Sequence, residues 1–242
     1  MTRLRSLALA LVGLAVLALS AFTLPDYVVA SFSNMRPGGA VNGWEPMRLG
    51  DARPSDYRLV RDGRTTVVRA DANASASGLV RRFDVDADRF PVLRWRWKVD
   101  NVVEGGDLRR KSGDDYAARI YVLFDYDPAD LGFADRVKYR ALRALGYDNV
   151  PVRALSYVWA SQPGASGISP NPFTDWVQMI PVEAGPANVG TWRSASRDLV
   201  RDYRAAFGEA PPPIAGIAIM TDADNTGNRA TAYYGDIRMT GR

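Results

Sequence analysis

From Tyr57 to Met239 the chain is a succession of short runs in which apolar and polar residues alternate, divided by turn residues. Alternation of period two marks a strand with one buried face. It predicts strands over 57–63, 65–72, 77–85, 91–99, 116–126, 154–160, 175–183, 214–222 and 230–239, after a turn-and-strand segment from Asn42 to Leu49. Helical spacing occurs twice. ADRVKYRALRALG (134–146) aligns Val137, Ala141 and Leu145, and SRDLVRDYRAAFG (196–208) aligns Leu199, Tyr203 and Phe207. Gly146 and Gly208 supply the stops, and Pro211-Pro212-Pro213 is a stiff lead into the next strand. Many short strands with two short helices in the connections predict a mostly β, antiparallel, jelly-roll-like sandwich. A doubly wound parallel sheet is the alternative, but it needs a helix between most strands.

The first residues break this pattern. Arg3 and Arg5 precede an uncharged run from Ser6 to Pro25 rich in Leu, Ala and Val. A basic region followed by an apolar core is the form of a secretory leader. Small residues at Ala18-Leu19-Ser20 and at Val28-Val29-Ala30 offer two cleavage points, so the expectation is a leader over 1–30 and one domain over 31–242. The run nearly reaches spanning length, so an uncleaved anchor is the alternative, and it would be the chain's one contact with a membrane. Either way the domain is expected to be exported, to the periplasm or the outside.

Composition narrows the chemistry. The 242 residues contain no His and no Cys. That removes histidine triads and general bases, thiolate nucleophiles, disulfides and His/Cys metal sites. Any metal must be held by oxygen. The formal charge of +4 falls to +2 without Arg3 and Arg5, too little to neutralise a nucleic-acid backbone.

Three stretches carry candidate chemistry. In PVLRWRWKVD, Leu93, Trp95, Trp97 and Val99 share one strand face and Arg94, Arg96 and Lys98 the other. The cationic face is either a solvated surface or a groove for an anion. In KSGDDYAARIYVLFDYD, Arg119 and Tyr121 lie opposite Ile120 and Val122, and Asp115 is placed to pair with Arg119. Tyr157 and Trp159 of LSYVWA could extend a cation–aromatic surface. Rings with charged groups across a sheet suit a sugar, because the ring covers C–H patches and the charges bond hydroxyls or carboxylates.

The third stretch is TDADNTGNRATAYYGDI (221–237). Counted from Asp222 as position 1, Asp224, Thr226 and Gly227 fit positions 3, 5 and 6 of a helix–loop–helix calcium loop, but position 12 is Tyr233 rather than Glu. Strands flank it, and Asn-Thr-Gly-Asn is a turn signal. A looser site from Asp222, Asp224, Asn225 and Asp236 is left, with Asp236 expected on the face of Tyr234 and Arg238.

The blocks FPVLRWRWKV, KSGDDYAARIYVLFDYD, LSYVWA, NPFTDWVQMIPVE, RDLVRDYRAAFGE and GIAIMTDADNTGNRATAYYGDI resemble, in this order, the bacterial family catalogued as domain of unknown function 3047. The resemblance runs from about Trp44 to Met239 and implies an exported protein, with no activity to transfer. The acidic loop before YYGDI is also similar to the last strand of galactose-binding-like and carbohydrate-module sandwiches, where it implies a structural calcium ion.

The expectation is therefore a sandwich that binds a glycan or another small anionic ligand on one sheet face through Arg96, Lys98, Arg119, Tyr121, Tyr157 and Trp159. Asp222, Asp224, Asn225 and Asp236 would hold a structural calcium ion. Two alternatives stand beside it. One is an enzyme: a lyase with Tyr121 or Tyr157 as base and Arg96 or Arg119 neutralising a uronate, or a hydrolase using two of Asp115, Asp125 and Asp236. The other is an envelope scaffold without a ligand.

Overall fold

A computed structural model describes residues 26–144 and 152–241. Chain order gives β1 (Tyr27–Ala30), β2 (Glu45–Arg48), β3 (Asp56–Asp62), β4 (Thr65–Asn73), β5 (Ala76–Val85), β6 (Val92–Val99), β7 (Arg119–Phe124) and α1 (Phe133–Ala144). Then come β8 (Ala154–Ala160), β9 (Ser169–Asn171), β10 (Thr174–Ala184), β11 (Arg193–Asp198), α2 (Leu199–Phe207), β12 (Ile214–Asp222) and β13 (Arg229–Thr240). Each alternating run is a strand, so the period-two reading holds.

The strands form two sheets. The first has the order β11-β6-β13-β4-β3, with β1 also on β13; the second runs β2-β5-β12-β7-β8-β10-β9. Among the described residues all pairings are antiparallel except β8 with β10, which run parallel from Val177 opposite Ala154. The inner faces meet in one apolar core, since a sheet must bury its apolar side against another layer. Trp95 and Trp97 of the first sheet pack on Tyr157 and Trp159 of the second, with ring centroids 5.3 Å and 5.9 Å apart. Ile120, Val122, Ile217 and Ile219 complete the centre and are fully buried.

Three local outcomes differ from the alternation. β1 takes residues up to Ala30 into the first sheet, with Tyr27 opposite Met239. The sandwich therefore begins inside the segment assigned to the leader, and cleavage after Ala30 would remove a paired strand. β11 claims 196–198, which the helical spacing gave to the second helix. Asp198 instead caps α2, its carboxylate accepting from the Arg201 amide, and Gly208 closes the helix at φ 77°. The third is α1, whose predicted stripe does not face the core: Val137 is 52% exposed and Ala141 is exposed. Leu145 and Gly146 lie outside the described residues.

Candidate functional site

β7 is buried on both sides, and its two faces differ in chemistry. Ile120, Val122 and Phe124 enter the core, while Arg119, Tyr121 and Leu123 point to the outer side of the second sheet. There Met220 is opposite Arg119 on β12, and Ser156 is opposite Tyr121 on β8. These residues floor a cleft of about 710 Å³, within the range of small-ligand sites. Met47, Leu123, Val177 and Met220 supply its apolar surface, and Phe173 and Leu49 stand at its sides. β5 needs glycine at Gly78, where a Cβ would meet the Ile219 carbonyl of β12 at 2.7 Å.

Arg119 organises the polar floor. Its Nε donates to Asp222 Oδ1 at 2.9 Å and its Nη2 to Asp222 Oδ2. Nη1 donates to Asp114 Oδ1 and to the Tyr121 hydroxyl, each at 3.2 Å, and Nη2 also to the Asp114 carbonyl. The guanidinium lies 4.3 Å from the Tyr116 ring centroid. Asn171 donates to the second Asp114 oxygen at 2.7 Å.

Burial pushes Asp222 up to about 8, against the opposing attraction of Arg119. It also raises Asp114, again against Arg119. For Arg119, burial works against its charge, but Asp114 and Asp222 outweigh it and hold its pKa well above the ordinary value. The guanidinium thus stays a cation whose charge is already engaged.

Asp115, expected to pair with Arg119, turns the other way. Its Oδ1 accepts from the Asn225 backbone and side-chain nitrogens at 3.2 Å and 3.1 Å, and its Oδ2 from the Thr226 amide at 2.6 Å. It pins the loop between β12 and β13. Thr221 and Tyr234 brace the same end: the Thr221 hydroxyl donates to the Ala117 carbonyl at 2.8 Å, and the Tyr234 hydroxyl donates to the Met220 carbonyl at 2.5 Å.

The six expected ligand residues do not share a face. Arg119 and Tyr121 lie in the cleft. Tyr157 and Trp159 point into the core, because Tyr157 is opposite Ile120 in register and so shares its side of the sheet. The Tyr157 hydroxyl donates to Asp202 on α2 at 2.9 Å, and Trp159 donates to the Gly185 carbonyl at 3.2 Å.

Arg96 and Lys98 belong to the other sheet and face its outer side. Arg96 stacks on Trp192 at 4.6 Å. Lys98 lies 4.2 Å from the Tyr233 ring centroid and donates to Asp62 at 2.7 Å. A period-two pattern sorts side chains within a strand but does not say which sheet receives the strand.

The four expected metal residues also separate. A bulge between Tyr234 and Ile237 breaks the alternation, so Tyr234 is buried while Asp236 reaches the outer face of the first sheet. There it accepts from the Ser33 amide and hydroxyl at 2.9 Å and 2.5 Å. Asp115, Asp222 and Asp224 each have an oxygen within 4.8 Å of the others. Arg119 engages both Asp222 oxygens and the loop nitrogens engage both Asp115 oxygens, so the guanidinium charge and these donors compete with a dication for this set.

The proposed hydrolase carboxylates do not meet either: Asp115 holds the loop, Asp125 follows the far end of β7 and Asp236 is on the opposite sheet. For a lyase base, Tyr157 is sealed in the core, and burial raises Tyr121 rather than lowering it.

Asp114 and Asn171 are not among the expected ligand residues. Asp114 had a signal, since it stands five residues before Arg119 in KSGDDYAAR. Asn171, Phe173 and Met47 come from distant segments that only the fold joins.

These features define a mostly β sandwich with a ligand-sized cleft on the outer face of one sheet. The chain belongs to the family described as Protein of unknown function (DUF3047), whose model matches residues 42–238. No curated protein matches the chain. Among solved structures it is similar to a family 11 carbohydrate-binding module of a cellulosomal cellulase of Clostridium thermocellum. That module is 10% identical, covers 90% of this chain and 96% of its own, and has a TM-score of 0.45. A family 29 carbohydrate-binding module is 11% identical, covers 89% of this chain and 88% of its own, and has a TM-score of 0.38. Both likenesses are distant, and no residue role is carried over from either.

Proposed function

We propose that this is an exported carbohydrate-binding sandwich whose site is the Arg119 cleft. The observation that carries the reading is a cleft with hydrogen-bonding groups grouped at one part of its floor and apolar side chains beside them. Tyr121, Asn171 and Asn225 present hydrogen-bonding groups braced by the mutually paired Arg119, Asp114 and Asp222 beneath them, while Phe173, Leu49, Met47 and Met220 offer apolar surface. A sugar ring has the same division, with hydroxyls at its edge and C–H groups on its faces.

Charge bears on the kind of glycan. The lining holds four cations, Arg48, Lys111, Arg119 and Lys138, and four acids, Asp51, Asp114, Asp222 and Asp224. The floor cation Arg119 is already engaged by Asp114 and Asp222, which favours an uncharged glycan over the small anion that the sequence also allowed. Export is supported by the two arginines and apolar run at the N-terminus.

The test is a glycan array probed with the purified protein, followed by titration calorimetry on any hit. The reading requires binding to at least one glycan and loss of most of it in Phe173→Ala and Asn225→Ala, both at exposed positions. Absence of binding across neutral and acidic glycans would refute it.

A further inference from the structure

We infer that α1 is an interfacial helix that lays Phe133 and Val137 into an anionic lipid surface. Five large apolar side chains are exposed among the described residues, and only Phe133 (78%) and Val137 (52%) stand one turn apart on one helix. At 100° per residue, Phe133, Val137, Ala141 and Ala144 fall within one stripe about 80° wide. All four are exposed. The opposite side of the helix holds the protein: the Tyr139 ring is 6.2 Å from that of Trp176, and Lys138 Nζ lies 5.0 Å from the Trp176 ring centroid.

Charge selects the occupant. The twelve residues of α1 contain four cations, Arg136, Lys138, Arg140 and Arg143, against the single acid Asp135. Arg140 and, further round, Arg136 edge the apolar stripe on one side, while Lys138 turns to Trp176. Cations beside an apolar strip are what an amphipathic helix uses at a lipid interface, with the chains in the acyl boundary and the charges among headgroups. One Phe and one Val bury little area, so most of the attraction must come from the charges. That requires anionic lipid rather than a neutral bilayer. The inference is independent of the carbohydrate reading, although Lys138 also lines the cleft, so docking would bring the cleft mouth near the headgroups.

The chain has no cysteine, so Val137→Cys gives a single attachment point for an environment-sensitive nitrobenzoxadiazole dye on the full chain. Arg64→Cys, in the β3–β4 turn, is the control. With vesicles of phosphatidylcholine and phosphatidylglycerol, the dye at 137 is expected to shift to the blue and brighten several-fold. It should stay unchanged on phosphatidylcholine alone or at 1 M salt, and the dye at 64 should stay unchanged throughout. Phe133→Glu and Arg140→Glu, in the labelled chain, should each abolish the response with the circular-dichroism melting curve unaltered. The inference is overturned by no response at 137, by an equal response on neutral vesicles, or by a response to protein concentration without lipid. The last result would make the stripe a contact between copies.

Discussion

Arg119 on β7 and Asp222 at the end of β12 are joined by two hydrogen bonds, and both side chains are only 2% exposed. Residues 103 positions apart thus meet under the cleft, and each answers a need the other creates. A buried guanidinium deprived of its partner keeps its desolvation cost and loses the compensating contact. Removing one member of such a pair costs about 3–5 kcal/mol. Asp222→Ala is therefore expected to lower unfolding stability by about that amount in a urea titration. Adding Arg119→Met should recover only part of the loss, because it removes the unpaired guanidinium but leaves the buried Asp114 carboxylate with Asn171 as its side-chain partner. A single variant as stable as the parent would contradict this view of the floor.

The pH dependence follows from the same residue. Burial raises Asp222 to about 8 in the fold, against about 3.9 in an unfolded chain. The folded state therefore binds the proton more tightly. This contribution to stability is fully present below about pH 4 and is lost as the pH climbs through about 8. The melting temperature is expected to decline from about pH 5 to about pH 8, with a flatter slope in Asp222→Asn. A melting temperature that rises across that window would give the opposite sign.

Asp115 is the anchor of the 223–228 loop, since it accepts from three nitrogens of Asn225 and Thr226. Asp115→Ala should cost about 1–3 kcal/mol through the donors left behind. The amides of Asn225 and Thr226 should then exchange hydrogen faster, with those of β13 unchanged. Because protein donors do this work, a calcium chelator should leave the parent's melting temperature where it was. A drop of several degrees on chelation, reversed by calcium, would place an ion among these carboxylates.

Tyr157 and Trp159 belong to the core and not to the ligand surface. Tyr157→Phe removes the hydroxyl that donates to Asp202 and is expected to cost about 1 kcal/mol. Affinity for any glycan ligand should be unaffected. A large loss of affinity at unchanged stability would return Tyr157 to the binding face.

The strands were legible because a half-buried strand must alternate, and the runs from Tyr57 to Met239 do so almost throughout. The second helix was legible through Leu199 and Tyr203, which bury where the spacing puts them. The site was only partly legible. Arg119 and Tyr121 were found because two polar residues interrupt an otherwise apolar strand. Arg96 and Lys98 were assigned to the same surface because nothing local distinguishes the outside of one sheet from the outside of the other. Tyr157 and Trp159 were misplaced for a related reason: β8 is buried on both faces, so its alternation carries no sign. Asp236 was displaced by the bulge at Gly235, where a Cβ would lie 2.4 Å from the Arg96 side chain. Bulges and sheet membership are set by tertiary packing, and a period of two records neither.

The most direct test compares two faces of the sandwich with one ligand. For the tightest glycan found, titration calorimetry would be run on the parent, on Phe173→Ala at the cleft and on Trp192→Ala beside Arg96 on the opposite sheet. A site in the Arg119 cleft predicts at least tenfold weaker binding for Phe173→Ala, about 1.4 kcal/mol, and parental affinity for Trp192→Ala. Parental affinity for Phe173→Ala together with lost binding for Trp192→Ala would move the site to the Arg96 face and contradict the account.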